Sequence, residues 1–190
     1  MRKLLMLALF LGGAAAAQQG GGYEQLFLIP PDGWQKAYHD LKGDTDFTVM
    51  LPPGQKMNNW SEALTIELIR GKPTMDVQTV LNKRIDQIHE SCADVGAGPA
   101  QLSVENGYDV GLRAIGCAKS ERTGAGEMSL FKVILGHAGT YVVSRAWSGA
   151  PFTKGKPPLP SDTMTEWLNF MRPVLVCDTG DRSHPCPTTN

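Results

Sequence analysis

The stretch Trp60 to Leu68 reads WSEALTIEL, and its even positions Trp60, Leu64, Ile66 and Leu68 make an apolar face broken by Glu62. Thr65 and Glu67 point the other way, the period of two expected of a half-buried strand. After Gly71 and Pro73 the period changes, and Val77, Leu81, Ile85, Ile88 and Cys92 recur at spacings of three and four. That is one stripe of an amphipathic helix, with Thr74 or Asp76 to cap its start and Gly96 and Gly98 to end it. A strand that hands over to a helix within one short stretch decides for a mixed fold.

Upstream, Tyr23 to Ile29 predicts a first strand, stopped by Pro30 to Gly33. Trp34 to Leu41 and Asp46 to Leu51 predict two more, joined through Lys42-Gly43-Asp44 and stopped by Pro52-Pro53-Gly54. Downstream of Pro99 the alternation returns in Ala100 to Glu105, Tyr108 to Lys119, Met128 to Leu135 and Thr140 to Trp147. Asn106-Gly107 between two of these runs is a strong hairpin signal. A proline-rich connector, Pro151 to Pro160, precedes a last helix starting near Ser161 to Thr163, where Thr163 and Glu166 could form a capping box. Met164, Trp167, Leu168 and Met171 form its apolar stripe, and Pro173 bends or ends it. The order implies an α+β fold, an antiparallel meander sheet packed with two main helices that cover one face or one face each. The expected organisation is a single domain, residues 23–176, with a polar, irregular tail at 177–190.

The first residues, MRKLLMLALFLGGAAAAQQGGG, place Arg2 and Lys3 before a short apolar run and a string of alanines. This is the order of a secretory signal peptide, here residues 1–17 with cleavage near Ala17, followed by a flexible linker at 18–22. The mature chain is therefore expected in the periplasm or outside the cell, without a membrane span. The chain holds 18 basic and 19 acidic side chains, and loss of Arg2 and Lys3 leaves 16 against 19. With no basic tract, nucleic acid and anionic membrane are poor partners.

Four cysteines, Cys92, Cys117, Cys177 and Cys186, fall in the expected mature part, and four permit three pairings. The segment Ile88 to Gly96, IHESCADVG, also brings His89 and Glu90 close to Cys92. A zincin would need a second histidine at position 93, where Ala93 stands, and nothing nominates the two ligands missing from a His89–Cys92 pair. As a nucleophile, Cys92 would lie on the apolar stripe, where its thiolate is disfavoured, in a compartment that oxidises lone thiols. A crosslink fits better. A helix packed on the sheet through that stripe brings Cys92 over the strand carrying Cys117, closing a loop of about 25 residues worth about 3 kcal/mol. Cys177 and Cys186 then pair locally around Gly180 and Pro185, so that Cys177, His184 and Cys186 are read as an oxidised loop and not a metal clip.

His39, His89, His137 and His184 supply raw material for acid–base chemistry, but no G-x-S-x-G elbow accompanies them. No catalytic residue, cofactor or metal is assigned. The candidate binding residues lie in TYVVSRAWSG, where Tyr141, Val143, Arg145 and Trp147 share one strand face, with Trp60 as a further candidate. Trp, Tyr and Arg dominate interface hot spots. The competing reading is that Tyr141 and Trp147 cover the core beneath a helix while Arg145 pairs with an acid at the rim.

Taken together, LIPPDGWQKA, FTVMLPPGQ and WSEALTIELI, then a helix, a meander ending GTYVVSRAW and a last helix, resemble the Mog1/PsbP-like proteins. The resemblance implies the α+β fold already described and a binding or accessory role, and it brings no catalytic motif. The leading expectation is an exported, non-enzymatic protein that binds another envelope or secreted protein, an immunity-type protein being one variant. The alternatives are a periplasmic small-ligand binder with a pocket between sheet and helix, and a hydrolase whose site the sequence hides.

Overall fold

The computed structural model describes residues 23–92, 94–156 and 158–188, so the expected signal peptide and linker lie outside the described residues. Its elements are β1 (Glu24–Phe27), β2 (Gln35–Lys42), β3 (Thr45–Leu51), β4 (Glu62–Arg70), α1 (Val77–His89), β5 (Val95–Ala97) and β6 (Gln101–Glu105). They continue with β7 (Tyr108–Cys117), β8 (Gly126–Leu135), β9 (Gly139–Gly149), α2 (Ser161–Met171) and β10 (Leu175–Asp178). Eight strands form one antiparallel sheet in the order β2-β3-β4-β9-β8-β7, with β5 and β6 both on the far side of β7. The α+β meander with two helices is as the sequence predicts. No described helix is long and apolar enough to cross a membrane.

The strand alternation sorts side chains between two faces, and each face receives one helix. Leu64, Val110, Leu130, Ile134 and Val143 meet Trp167 and Met171 of α2. On the other face Val133 and Val142 meet Val77, Val80 and Leu81 of α1. Gly111 lets α1 approach closely, since Val77 and Leu81 occupy the space its Cβ would need. Asp76 caps α1, its side chain accepting from Thr79 N–H at 2.7 Å. Arg84 reaches down to Glu67 of β4 at 2.6 Å. Cys92 lies just past the end of α1 and is bonded to Cys117, and Cys177 is bonded to Cys186, the expected pairing.

Several expectations change. Gly96 and Gly98 do not simply stop α1, because Val95–Ala97 adds a short strand, β5, against β7. The capping box at Thr163 is not formed: Thr163 lies inside α2, and the N-cap is Pro160, which has no side-chain acceptor to offer. Leu168 faces solvent, because Trp167 and Met171 already fill the contact with the sheet.

The first strand does not join the main sheet. It pairs with β10, across the boundary that the sequence put at Cys177. This two-stranded ribbon is tied to the sheet by Glu24, whose carboxylate accepts from the backbone N–H of His137 (2.6 Å) and Ala138 (3.1 Å) and from the Tyr141 hydroxyl (3.1 Å). Only glycine fits at Gly136, where Glu24 fills the place of a Cβ. The tail, expected to be irregular, packs back. The His184 ring lies 4.3 Å from the Tyr108 ring, and its Nδ1–H donates to the Asn106 carbonyl at 2.8 Å. Asn106 and Gly107 both have positive φ, as a two-residue hairpin turn requires, and the Asn106 side chain donates to the Val176 carbonyl at 2.9 Å.

Tyr108 is buried, and its hydroxyl has no hydrogen-bond partner among the described residues. Burial first, then the charges of Glu24, Asp178 and Asp181, push its pKa up to about 12 from 10.0. The unfolded chain therefore releases this proton about two pH units earlier than the folded one, and stability falls as pH rises from 10 towards 12. Tyr108→Phe should match the wild type in stability at neutral pH and lose less of it on alkaline titration, as followed by urea unfolding across that range.

Candidate functional site

The register of β4 with β9 puts Glu62, Leu64, Ile66 and Leu68 opposite Trp147, Arg145, Val143 and Tyr141, all on the α2 face. The sequence is right that these β9 residues share a face, but that face is not open as a binding surface. Tyr141 and Arg145 are buried under β1, α2 and the segment before β2. Arg145 is only 3% exposed, and its guanidinium lies 4.8 Å from the Trp34 ring, 5.1 Å from Phe170 and 5.7 Å from Trp167. One of its terminal nitrogens donates to Glu62 at 2.8 Å. The half-buried Trp147 folds over Gly149, occupying the place of its Cβ. Trp60 does not join them, because it packs with Val49, Leu51, Ala63 and Ala146 on the opposite face. A cation sandwiched by aromatic rings and paired with an acid is how a structure anchors a helix.

The open concavity lies one strand pair away on the same face. Gly96 of β5 pairs with Gly116 of β7, and Gly98 and Ala114 lie beside them. Sheet positions that elsewhere carry valine or leucine therefore carry almost no side chain here. The connector and the first turn of α2 pass above through Phe152, Leu159 and Met164, with Met128 at one side, leaving a trough of ≈ 740 Å³. The volume is in the range of small-molecule sites. Its lining is mostly apolar, and Lys154 and Asp94 face each other at 4.0 Å beside it. No acid–base pair sits on its floor, and what the trough offers chemically is shape and apolar contact.

Sequence reading missed the trough because it took Gly96 and Gly98 as a helix stop and passed over Gly116 inside a strand. The usable signal was there, since glycine inside a strand often marks close approach by something else. Of the four histidines, His184 and His137 pack with Tyr108 at the far end of the sheet, His39 pairs with Asp46 at 3.0 Å on β2–β3, and His89 ends α1 on the other face, so none lines the trough.

Comparison with known proteins bears on the fold. The chain is similar to a point mutant of the protein Mog1, with a TM-score of 0.46, 10% identity and coverage of 78% of this chain and 84% of that one. It is also similar to LpqN, involved in cell envelope biogenesis of Mycobacterium tuberculosis, with a TM-score of 0.40, 9% identity and coverage of 85% and 87%. Both likenesses are distant, and nothing about ligand, partner or compartment follows from them. No family model matches the chain, and neither does any curated protein.

If Arg145 anchors α2, its loss should be felt in stability. Arg145→Ala should cost about 3 kcal/mol in urea unfolding, through the cavity left among Trp34, Trp167 and Phe170. Arg145→Met should recover much of that, because Glu62 is 41% exposed and can be hydrated when left alone. Were Arg145 a surface contact residue, both variants would unfold like the wild type.

Proposed function

We propose that the protein is an exported, non-catalytic binding protein that holds an elongated apolar small molecule in the trough between the sheet and the connector. The two disulfides support export, since such bonds persist in oxidising compartments. The observation that carries the ligand is the floor of Gly96, Gly98, Ala114 and Gly116 beneath a roof of Phe152, Leu159 and Met164. At the contacts of Trp167 and Met171, and of Val77, Val80 and Leu81, side chains fill the space between sheet and helix. Here Gly96 and Gly98 leave the floor free of side chains, while Phe152 and Met128 close over Gly116 at one end, and apolar surface that fills the space is removed from water. Between the two binding readings of the sequence, this favours the small ligand, because the residues nominated for a protein partner are buried or lie apart.

The test is thermal stabilisation by straight-chain fatty alcohols of increasing length, which have an apolar body and no charge. A probe present at about a hundred times its Kd should stabilise the fold by about 2.7 kcal/mol. Gly96→Leu fills the trough without strain, because the backbone there is ordinary and the nearest atom to a new Cβ is Lys154 Cγ at 3.9 Å. This variant should fold, melt at or above the wild-type temperature, and no longer respond to the alcohols. An equal response in both proteins, or none in either at any length, would dismiss the reading.

A further inference from the structure

The two edges of the main sheet are built differently. At β2 every residue is exposed, the register slips between Lys36 and Tyr38, and Lys36, His39, Asp40 and Lys42 crowd the strand with charge. A bulge and charged side chains are the usual protection of an edge against pairing with another chain. The opposite edge has no bulge, and the one charged side chain of its strand, Glu105, is taken up by Lys132. Gln101–Glu105, QLSVE, pairs with β7 in unbroken register and has no described strand on its outer side. Leu102 is 58% exposed and Val104 67%. Both lie on the α1 face, because they stand opposite Gly111 and Asp109, and Leu102 extends the apolar contact that Val77 and Leu81 make over Gly111. An apolar surface continuous with the core thus runs out to a bare edge and stops.

We propose that β6 is a homodimer interface, at which a second copy of this chain adds its own β6 in antiparallel register. What selects a second copy is the self-complementarity of the strand. With the two-fold axis at Ser103, all five residues are paired, and the two Leu102–Val104 pairs form one cluster between the α1 helices. The same register sets each Gln101 amide opposite a Glu105 carboxylate and keeps the two carboxylates at opposite ends. Glu105 is fixed there by its ion pair with Lys132. The α1 helices of both copies stay on one side, as directly opposite residues of an antiparallel pair share a face. The dimer joins two meanders into one continuous sheet and leaves both troughs open on the α2 face.

The test is the mass of the full mature protein in solution, by light scattering on a sizing column and by native mass spectrometry over a range of concentrations. The wild type should be a dimer. Leu102→Lys and Val104→Lys change exposed side chains, so both should fold with the wild-type circular dichroism and melt lower only by what the dimer contributes. Each should weaken dimerisation by roughly tenfold or more, because symmetry applies every loss twice. Leu41→Lys, at the other edge, should leave the dimer intact. Gln101→Glu probes the register, since it sets carboxylate against carboxylate: it should weaken the dimer at low salt and recover at high salt. A monomeric wild type, or a dimer indifferent to the lysine substitutions at β6, would overturn the proposal, and a dimer indifferent to Gln101→Glu would overturn its register.

Discussion

Two cations buried between the sheet and α2 hold the second layer of this protein in place. Arg145, from the centre of β9, is stacked among Trp34, Trp167 and Phe170 and paired with Glu62. Lys132, from the neighbouring strand, is wholly buried, pairs with Glu105, and donates at 3.0 Å to the carbonyl of Met171, the last residue of α2. That helix has no basic residue in its last turn, and Lys132 supplies from the sheet the positive charge its C-terminus favours. Lys132 needs the end of α2 in position for its bond to Met171, and Arg145 needs it for the Trp167 and Phe170 rings. The helix is therefore fixed along its second half, over β9 and β8, by interactions that are costly to break one partner at a time.

The first half of α2 is placed differently. It begins without a side-chain cap and, with the connector, spans the part of the sheet where glycine and alanine replace larger residues. The helix is thus clamped at its C-terminal end and lies over the stripped part of the sheet at its start. The Cys92–Cys117 bond supports the same end from the other face, beside Val95 and Ile115. Strand β5, too short to be held by its own pairing, is thereby kept against β7.

Much of this layout can be read from the sequence, because the periods of two and 3.6 are undisturbed wherever a face is simply buried. The strands β2 to β4 and β6 to β9, both helices, and both disulfides follow from patterning and spacing. What escaped has specific causes. Strand β1 has the alternation of a sheet strand, but its partner, β10, comes after Pro173 and is only four residues long. Leu168 sits at helical spacing beside Trp167, and only packing decides which of the two reaches the core. Arg145 has the composition of a hot spot, and the same aromatic neighbours that suggest one are what bury it. Lys132 interrupts the run Met128, Leu130, Ile134 on a single strand face, which is the sequence signature of a buried charge. The trough is the hardest part to see, since its floor is made of residues with almost no side chain and is assembled from two strands.

The most direct test of a trough held open for a ligand is to watch its floor while a straight-chain fatty alcohol is titrated in. Amide NMR resonances can be followed residue by residue. On this account the amides of Gly96, Gly98, Ala114 and Gly116 move together with those at the start of α2, while Tyr38 on β2 and Glu24 at the far end stay still. Shifts confined to other surfaces, with the four floor amides unmoved at saturation, would contradict it.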